Sequence, residues 1–239
     1  MRHNLLAVAA VAVGLVAVQV TGTPKEVKGA FNLEPARNGK PYAPIMVPPG
    51  CDTNIALNCK VTSSDPNLIK NDKLSFVTDG DKEIGSHCIE DKENADTVVE
   101  LDAGTQWVQI DLGKECVIYG VCVWHFFGSA TVYFDVICQI SNDPDFIDDV
   151  VTVFNNDHDN SSQLGFGKDK EYLETNQGRP IPVDAVKGRY VRFYSRGNTT
   201  NKKNHYTEIE VYGRDAQGKA PETEERVPVK IRYPKILFS

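Results

Sequence analysis

Histidine, methionine and tryptophan are scarce in this chain of 239 residues, at five, two and two. No two of its six cysteines stand in C-x-x-C spacing, and no histidine lies at ligand distance from a cysteine pair. A zinc site is therefore not expected. Basic clusters are also lacking: KNDK and NKKN are the nearest, against a net charge of −7. An acidic surface repels phosphate backbones, which excludes nucleic acid as a partner. There is no G-x-S-x-G elbow, no H-E-x-x-H pair and no P-loop. GFGK at Gly165 is too short to cradle phosphate, and no βαβ unit surrounds it. Internal repeats are absent, so propellers and solenoids are excluded. No segment of helical length keeps an i, i+3, i+4 apolar stripe.

The chain has one long hydrophobic run, residues 5–20, preceded by the polar Arg2 and His3 and followed by small residues. It is shorter than the roughly 20 residues that span a bilayer comfortably. Residues 1–22 are expected to be a signal peptide, with an uncleaved anchor as the alternative and the only route to a membrane. Export to the exterior, the periplasm or the cell envelope follows. Six cysteines suit an oxidising compartment but leave their pairing open, and buried thiols remain the alternative. Charged residues at 25% and the AVILMFWYC set at 41% are ordinary for a globular protein.

Residues 23–50 are rich in Pro, Gly and Lys and read as a linker with one short edge strand. A compact domain is expected over 51–213. Residues 214–239 read as a second linker and a tail, whose alternating Val227, Val229, Ile231 and Tyr233 suit an edge strand. Within the domain, WVQIDLG, CVIYGVCVWHF, ATVYFDVICQIS, VVTVF, RYVRFYS and EIEVYG are β-branched and aromatic runs separated by turn residues. This pattern predicts an all-β antiparallel sandwich or barrel. Two intervening stretches, 84–96 and 157–182, are long for a compact domain, and such loops are usually functional.

NIALNCKVTSSD, FVTDGD, QWVQIDLG, DVICQISNDPDF, GRYVRFYS and TEIEVYG occur in the order found in discoidin domains. These are also called coagulation-factor type-C domains and are kin to family-32 carbohydrate-binding modules. The chain resembles that family over about residues 51–213. The resemblance implies an eight-stranded jelly-roll sandwich of the galactose-binding kind, non-catalytic and secreted. It would bind galactose-type or related glycans through loops at one end, with glycans or glycosylated surfaces as partners. A cell-envelope adhesion or scaffold module gripping a protein is the alternative.

The resemblance also implies a structural calcium held by Asp79 and Asp81 of FVTDGD, by Thr207 through its carbonyl, and by Glu208. Carboxylates and carbonyls are the donors a hard cation requires. The glycan is expected on two loops. WHFFGS offers His125 and Phe126, and SRGNTTNKKNHY offers Arg196, Asn198, Asn204, His205 and Tyr206. Sugar sites combine an aromatic face with a few directional polar groups. Trp124 and Phe127 read as core, Arg192 as a structural ion-pair partner, and NNDHDN at 155–160 as a solvated loop whose His158 and aspartates alternatively border the ligand or a second ion. No aromatic platform can be assigned from the sequence.

Overall fold

The structure, a computed structural model, describes residues 29–68, 72–83, 97–128 and 130–234. The 84–96 loop, Cys88 and residues 1–22 lie outside the described residues. Nine strands are described: β1 (Met46–Val47), β2 (Lys60–Ser63), β3 (Val99–Leu101), β4 (Gln106–His125), β5 (Ile137–Ser141), β6 (Val151–Asn155), β7 (Arg179–Ser195), β8 (Asn204–Asp215) and β9 (Val227–Pro228). One 3-10 helix, Asp72–Thr78, precedes the acidic turn at 79–81.

The fold is an all-β sandwich in which two long strands serve both layers. In one layer β7 pairs β4 over 190–195 and 106–111, with β5 and β6 beyond β7 and β2 beyond β4. After a register shift between Asp111 and Cys116, β4 continues against the 179–188 half of β7 and against β8, which is edged by β3. Every pairing among these strands is antiparallel. The β-branched runs make this arrangement because each strand drops alternate residues into the space between layers. Val108, Ile110, Cys138, Ile140, Val191 and Phe193 meet Ile118, Val121, Val123, Ile209 and Val211 in one buried cluster.

The outer face of the second layer carries its own apolar cluster of Val117, Tyr119, Cys122, Trp124 and Tyr212, covered by Ile45, Val47 and Val229. The cover is a two-stranded ribbon in which β1 pairs β9, with Met46 opposite Pro228 and Val47 opposite Val227. Burying an aliphatic side chain of this size contributes about 1.5–3 kcal/mol, so the ribbon belongs to the sandwich energetically. Residues 29–50 are thus docked rather than free as a linker would be. Gly120 marks the closest approach: a Cβ there would lie 2.3 Å from Ile45 Cγ2.

The start of the same segment is tied at two further points. The Glu171 carboxylate accepts from the Phe31 and Asn32 amides at 2.6 and 3.0 Å. Arg179 donates to Glu34 at 2.6 Å, and Glu34 also accepts from the Tyr42 hydroxyl.

The five described cysteines, Cys51, Cys59, Cys116, Cys122 and Cys138, are unpaired thiols. Burial raises the pKa of each. Arg192 is structural, but its partners are neutral. It donates to the Gln109 side chain at 2.7 Å and stacks between Trp107 and Phe146, 4.2 and 4.0 Å from their ring centroids. Among the described residues no helix is long and apolar enough to cross a membrane.

Candidate functional site

Three loops and the N-terminal segment converge at one end of the sandwich. Phe134 and Asp135 precede β5, residues 156–161 follow β6, and Arg196 follows β7. Together with Gly29, Phe31 and Glu171 they line a cavity of about 460 Å³. Phe31, 85% exposed, stands on its rim with its ring centroid 5.8 Å from that of His158. Phe134 and Arg196 also line a second hollow of about 250 Å³, completed by Ala103, Gly104, Gly197, Asn198, Asn201 and Lys202. The two hollows form one groove with Arg196 at the divide.

Two polar atoms at the larger cavity have no partner among the described residues. Asn156 is 1% exposed; its Oδ1 accepts from the Val136 amide at 2.7 Å, while its buried Nδ2 donates to nothing. His158 Nε2 is likewise buried and unmatched. Leaving such a group unpaired costs about 1–3 kcal/mol, so each marks a place for a ligand or water.

Acceptors stand beside these groups. Carboxylate oxygens of Asp135, Asp157 and Asp159 lie within 4.8 Å of one another. Asp157 is fully buried and anchors its own turn, accepting from the Ser161 and Ser162 amides and the Ser162 hydroxyl. Ser161 Oγ donates to Asp135 at 2.6 Å, and its amide donates to Asp159 at 2.9 Å. Burial pushes the Asp135 carboxyl up, and the neighbouring aspartates push it further. Hydrogen bonds from Ser161 hold Asp159 below the usual carboxylate range. The Arg196 guanidinium lies 3.9 Å from Asp135.

Of the seven residues expected on the ligand, Arg196 and Asn198 line the groove. The Asn198 side chain is already committed, donating to Asn201 and the Lys203 carbonyl and accepting from Thr200 and Asn201. His125 is a correction. It is fully buried, 2.6 Å from Glu174 and stacked on Tyr133 at 4.4 Å between ring centroids. Asn204 and Tyr206 are corrections of the same kind. Buried Asn204 holds the Gly197 amide and the Asp102 and Gly104 carbonyls, and the Tyr206 hydroxyl meets Ser195. His205 bridges Tyr133 and Glu100 and is mostly buried, which lowers its pKa. Phe126 is half-buried with its ring 6.3 Å from that of His205. Trp124 is core, and its indole donates to the Asn176 carbonyl.

The groups the sequence reading did not place are Phe31, Phe134, Asp135 and Asn156. Their signal was the 155–160 run, where His158 and two aspartates stood together. The partners come from segments more than twenty residues away.

At the far side of β8, the acidic turn meets the strand. Gly80, with φ +83°, donates its amide to Glu208 Oε2 at 3.2 Å. Glu208 is fully buried, and its other oxygen, Oε1, has no partner among the described residues; neither does the buried Thr207 Oγ1. Thr207 is the extra residue of a β-bulge, since Trp124 pairs Glu208 while His125 pairs Tyr206. Burial raises the Glu208 pKa from 4.5 to about 9 and also raises that of Asp79. One oxygen of Asp79 accepts from the Asp81 amide at 2.8 Å, and one oxygen of Asp81 accepts from the Glu83 amide at 2.9 Å. An unmatched oxygen of a buried carboxylate and an unmatched hydroxyl oxygen are donors of the kind a hard cation takes.

No family model and no curated protein matches the sequence. Solved structures similar to the chain include the CBM32 of AlyQ in complex with 4,5-unsaturated mannuronic acid, at 18% identity and TM-score 0.43, covering 65% of this chain and 96% of that one. A chitosan-binding module of a chitosanase/glucanase from Paenibacillus sp. IK-5 is 21% identical, with TM-score 0.45 and coverage of 67% and 99%. A family 89 glycoside hydrolase from Clostridium perfringens is 15% identical with TM-score 0.49; 72% of this chain matches, and it spans 16% of that enzyme. Each is a likeness of chain trace at low identity.

Proposed function

We propose that this chain is a non-catalytic carbohydrate-binding module that holds a galactose-type or related glycan in the groove divided by Arg196. The observation that carries this reading is the pair of unmatched atoms, Asn156 Nδ2 and His158 Nε2, beside an open cavity rimmed by the exposed Phe31 ring. A pyranose offers ring oxygens and hydroxyls to such groups and an apolar face to an aromatic ring. Phe31 supplies the platform; Arg196 and Asn156 donate, and Asp135 and Asp159 accept.

Asp79, Asp81, Glu208 and Thr207 through its carbonyl would hold a structural calcium. The ion would neutralise the buried Glu208 carboxylate and clamp the turn to β8. This reading rests on Glu208 Oε1 and Thr207 Oγ1, both buried oxygens without partners among the described residues. Export is part of the same reading, on the strength of the apolar start at residues 5–20.

The test is a glycan array followed by calorimetry on the full chain and on Phe31→Ala and Arg196→Ala. Each substitution is expected to weaken binding by about tenfold or more, the size of one lost ring contact or charged hydrogen bond. Unchanged affinity in both variants would place the ligand elsewhere. Silence on the array together with a co-purifying envelope protein would favour the adhesion alternative.

A further inference from the structure

We propose that the Asp135–Asp157–Asp159 cluster makes this groove selective for glycans carrying a free, protonated amine, that is, de-N-acetylated amino sugars. The inference rests on the glycan-binding reading above and deepens it.

Three carboxylates with oxygens within 4.8 Å repel one another unless a positive charge joins them. Among the described residues near the cluster the cation is Arg196, which stays 3.9 Å from Asp135 and faces both hollows. The cluster itself lies against the cavity, because Asp135 and Asp159 line it while Asp157 is buried beneath.

A divalent ion is the poorer fit. Asp157 already spends both oxygens on the Ser161 and Ser162 amides and the Ser162 hydroxyl. The unmatched Asn156 Nδ2 is moreover a hydrogen-bond donor, which no metal can use. Its orientation is fixed by the Val136 amide on Oδ1.

An ammonium group has three donors and suits two or three carboxylate oxygens. The rest of the same ligand must then accept from Asn156 and present an apolar face to Phe31. A hexosamine does both through its hydroxyls and its ring, whereas a lysine side chain packs its stem on a ring but has no acceptor for Asn156. Burial raises the Asp135 pKa, so an arriving cation would also draw that carboxyl into its charged form.

The experiment is calorimetric titration of the full chain, at about pH 6, with three probes: a glucosamine tetramer, its fully N-acetylated counterpart and a neutral galactoside. The glucosamine tetramer is expected to bind about ten- to a hundredfold more tightly than the acetylated one, the range of a charge-assisted hydrogen bond. Asp159→Asn, an exposed isosteric change that leaves the buried Asp157 anchor in place, should reduce that preference to about twofold. Added salt should do the same in part, by screening. Asp135→Asn serves as the second variant, with a melting curve confirming that each is folded.

Equal or tighter binding of the acetylated tetramer, or a preference that survives both substitutions, overturns the amine selectivity. If the neutral galactoside binds best and Phe31→Ala abolishes it, the glycan site stands and this inference falls. Silence toward all three probes overturns both.

Discussion

Replacing Glu208 by glutamine should stabilise the metal-free protein and abolish its response to calcium. The buried carboxylate has its pKa raised from 4.5 to about 9, first by desolvation. The folded state therefore holds the proton more tightly than the unfolded chain. Stability is greatest below about pH 4.5 and falls as pH rises towards about 9. One pKa unit corresponds to about 1.4 kcal/mol, so near pH 7 the cost is on the order of 3 kcal/mol. The carboxamide of Glu208→Gln would keep an acceptor for the Gly80 amide and carry no charge, which removes most of that cost. Calcium removes it differently, by supplying the missing positive charge to Oε1. At a free concentration about a hundredfold above its Kd, a bound ion adds about 2.7 kcal/mol. Urea melts from pH 5 to 9, with chelator and with excess calcium, read both effects. With chelator, the wild type should lose stability across that range while Glu208→Gln stays flat. With calcium the gap near pH 7 should nearly close, because about 2.7 kcal/mol offsets most of about 3 kcal/mol. Equal destabilisation of the variant with and without calcium would falsify the argument, for Glu208 would then act as an ordinary buried hydrogen-bond acceptor.

Other perturbations test the scaffold. The Lys82 ammonium sits 2.5 Å from Glu210 Oε1, both side chains nearly buried, and 4.9 Å from the Trp124 ring centroid. Lys82→Met should cost about 3–5 kcal/mol in a denaturant melt by stranding Glu210, and adding Glu210→Gln should recover much of it. Burial lowers the His205 pKa below 6.5, so the unfolded chain binds the proton more readily and stability should fall as pH drops below about 6.5. His205→Asn should flatten that limb of the pH profile. Gly120→Ala forces a methyl group against Ile45 and should cost about 1–3 kcal/mol. Faster tryptic cleavage after Arg37 would show that the ribbon has been displaced.

The sandwich was legible because its strands are nearly all long runs of β-branched and aromatic residues with period-two alternation. Val191 and Phe193 of β7, or Ile209 and Val211 of β8, announce the buried face directly. The ribbon was harder to see. Met46–Val47 and Val227–Pro228 are two residues each, set among prolines, and they fold only because Trp124 and Tyr212 offer them an apolar face to cover. The turn at 79–81 meets Glu208 through the Gly80 amide; that pairing came from the family resemblance, because a D-G-D turn by itself reads as a solvated turn. His125 misled because its partner, Glu174, lies 49 positions on in an irregular segment that closes over it. The groove could not be read for the same reason. Phe31 looked like linker, and Asp135 sat inside the strand-like run ATVYFDVICQIS. Proximity of side chains from four separate segments is a tertiary fact, carried by the Glu171 and Arg179 contacts that dock residues 29–34.

The pairing of β1 with β9 has a mechanical consequence. Because the strands are antiparallel, the chain entering Met46 and the chain leaving Pro228 depart from the same end of the ribbon. Tension applied between the two flanking segments would open it like a zip, one hydrogen bond at a time, beginning near Ile45 and Val229. Tension from the two flanks would first have to break the Glu171 and Arg179 contacts that dock residues 31–34 and the Asn176 bond to the Pro234 carbonyl. Stretching the polypeptide from its flanks would thus draw Phe31 away from the groove before the ribbon opened.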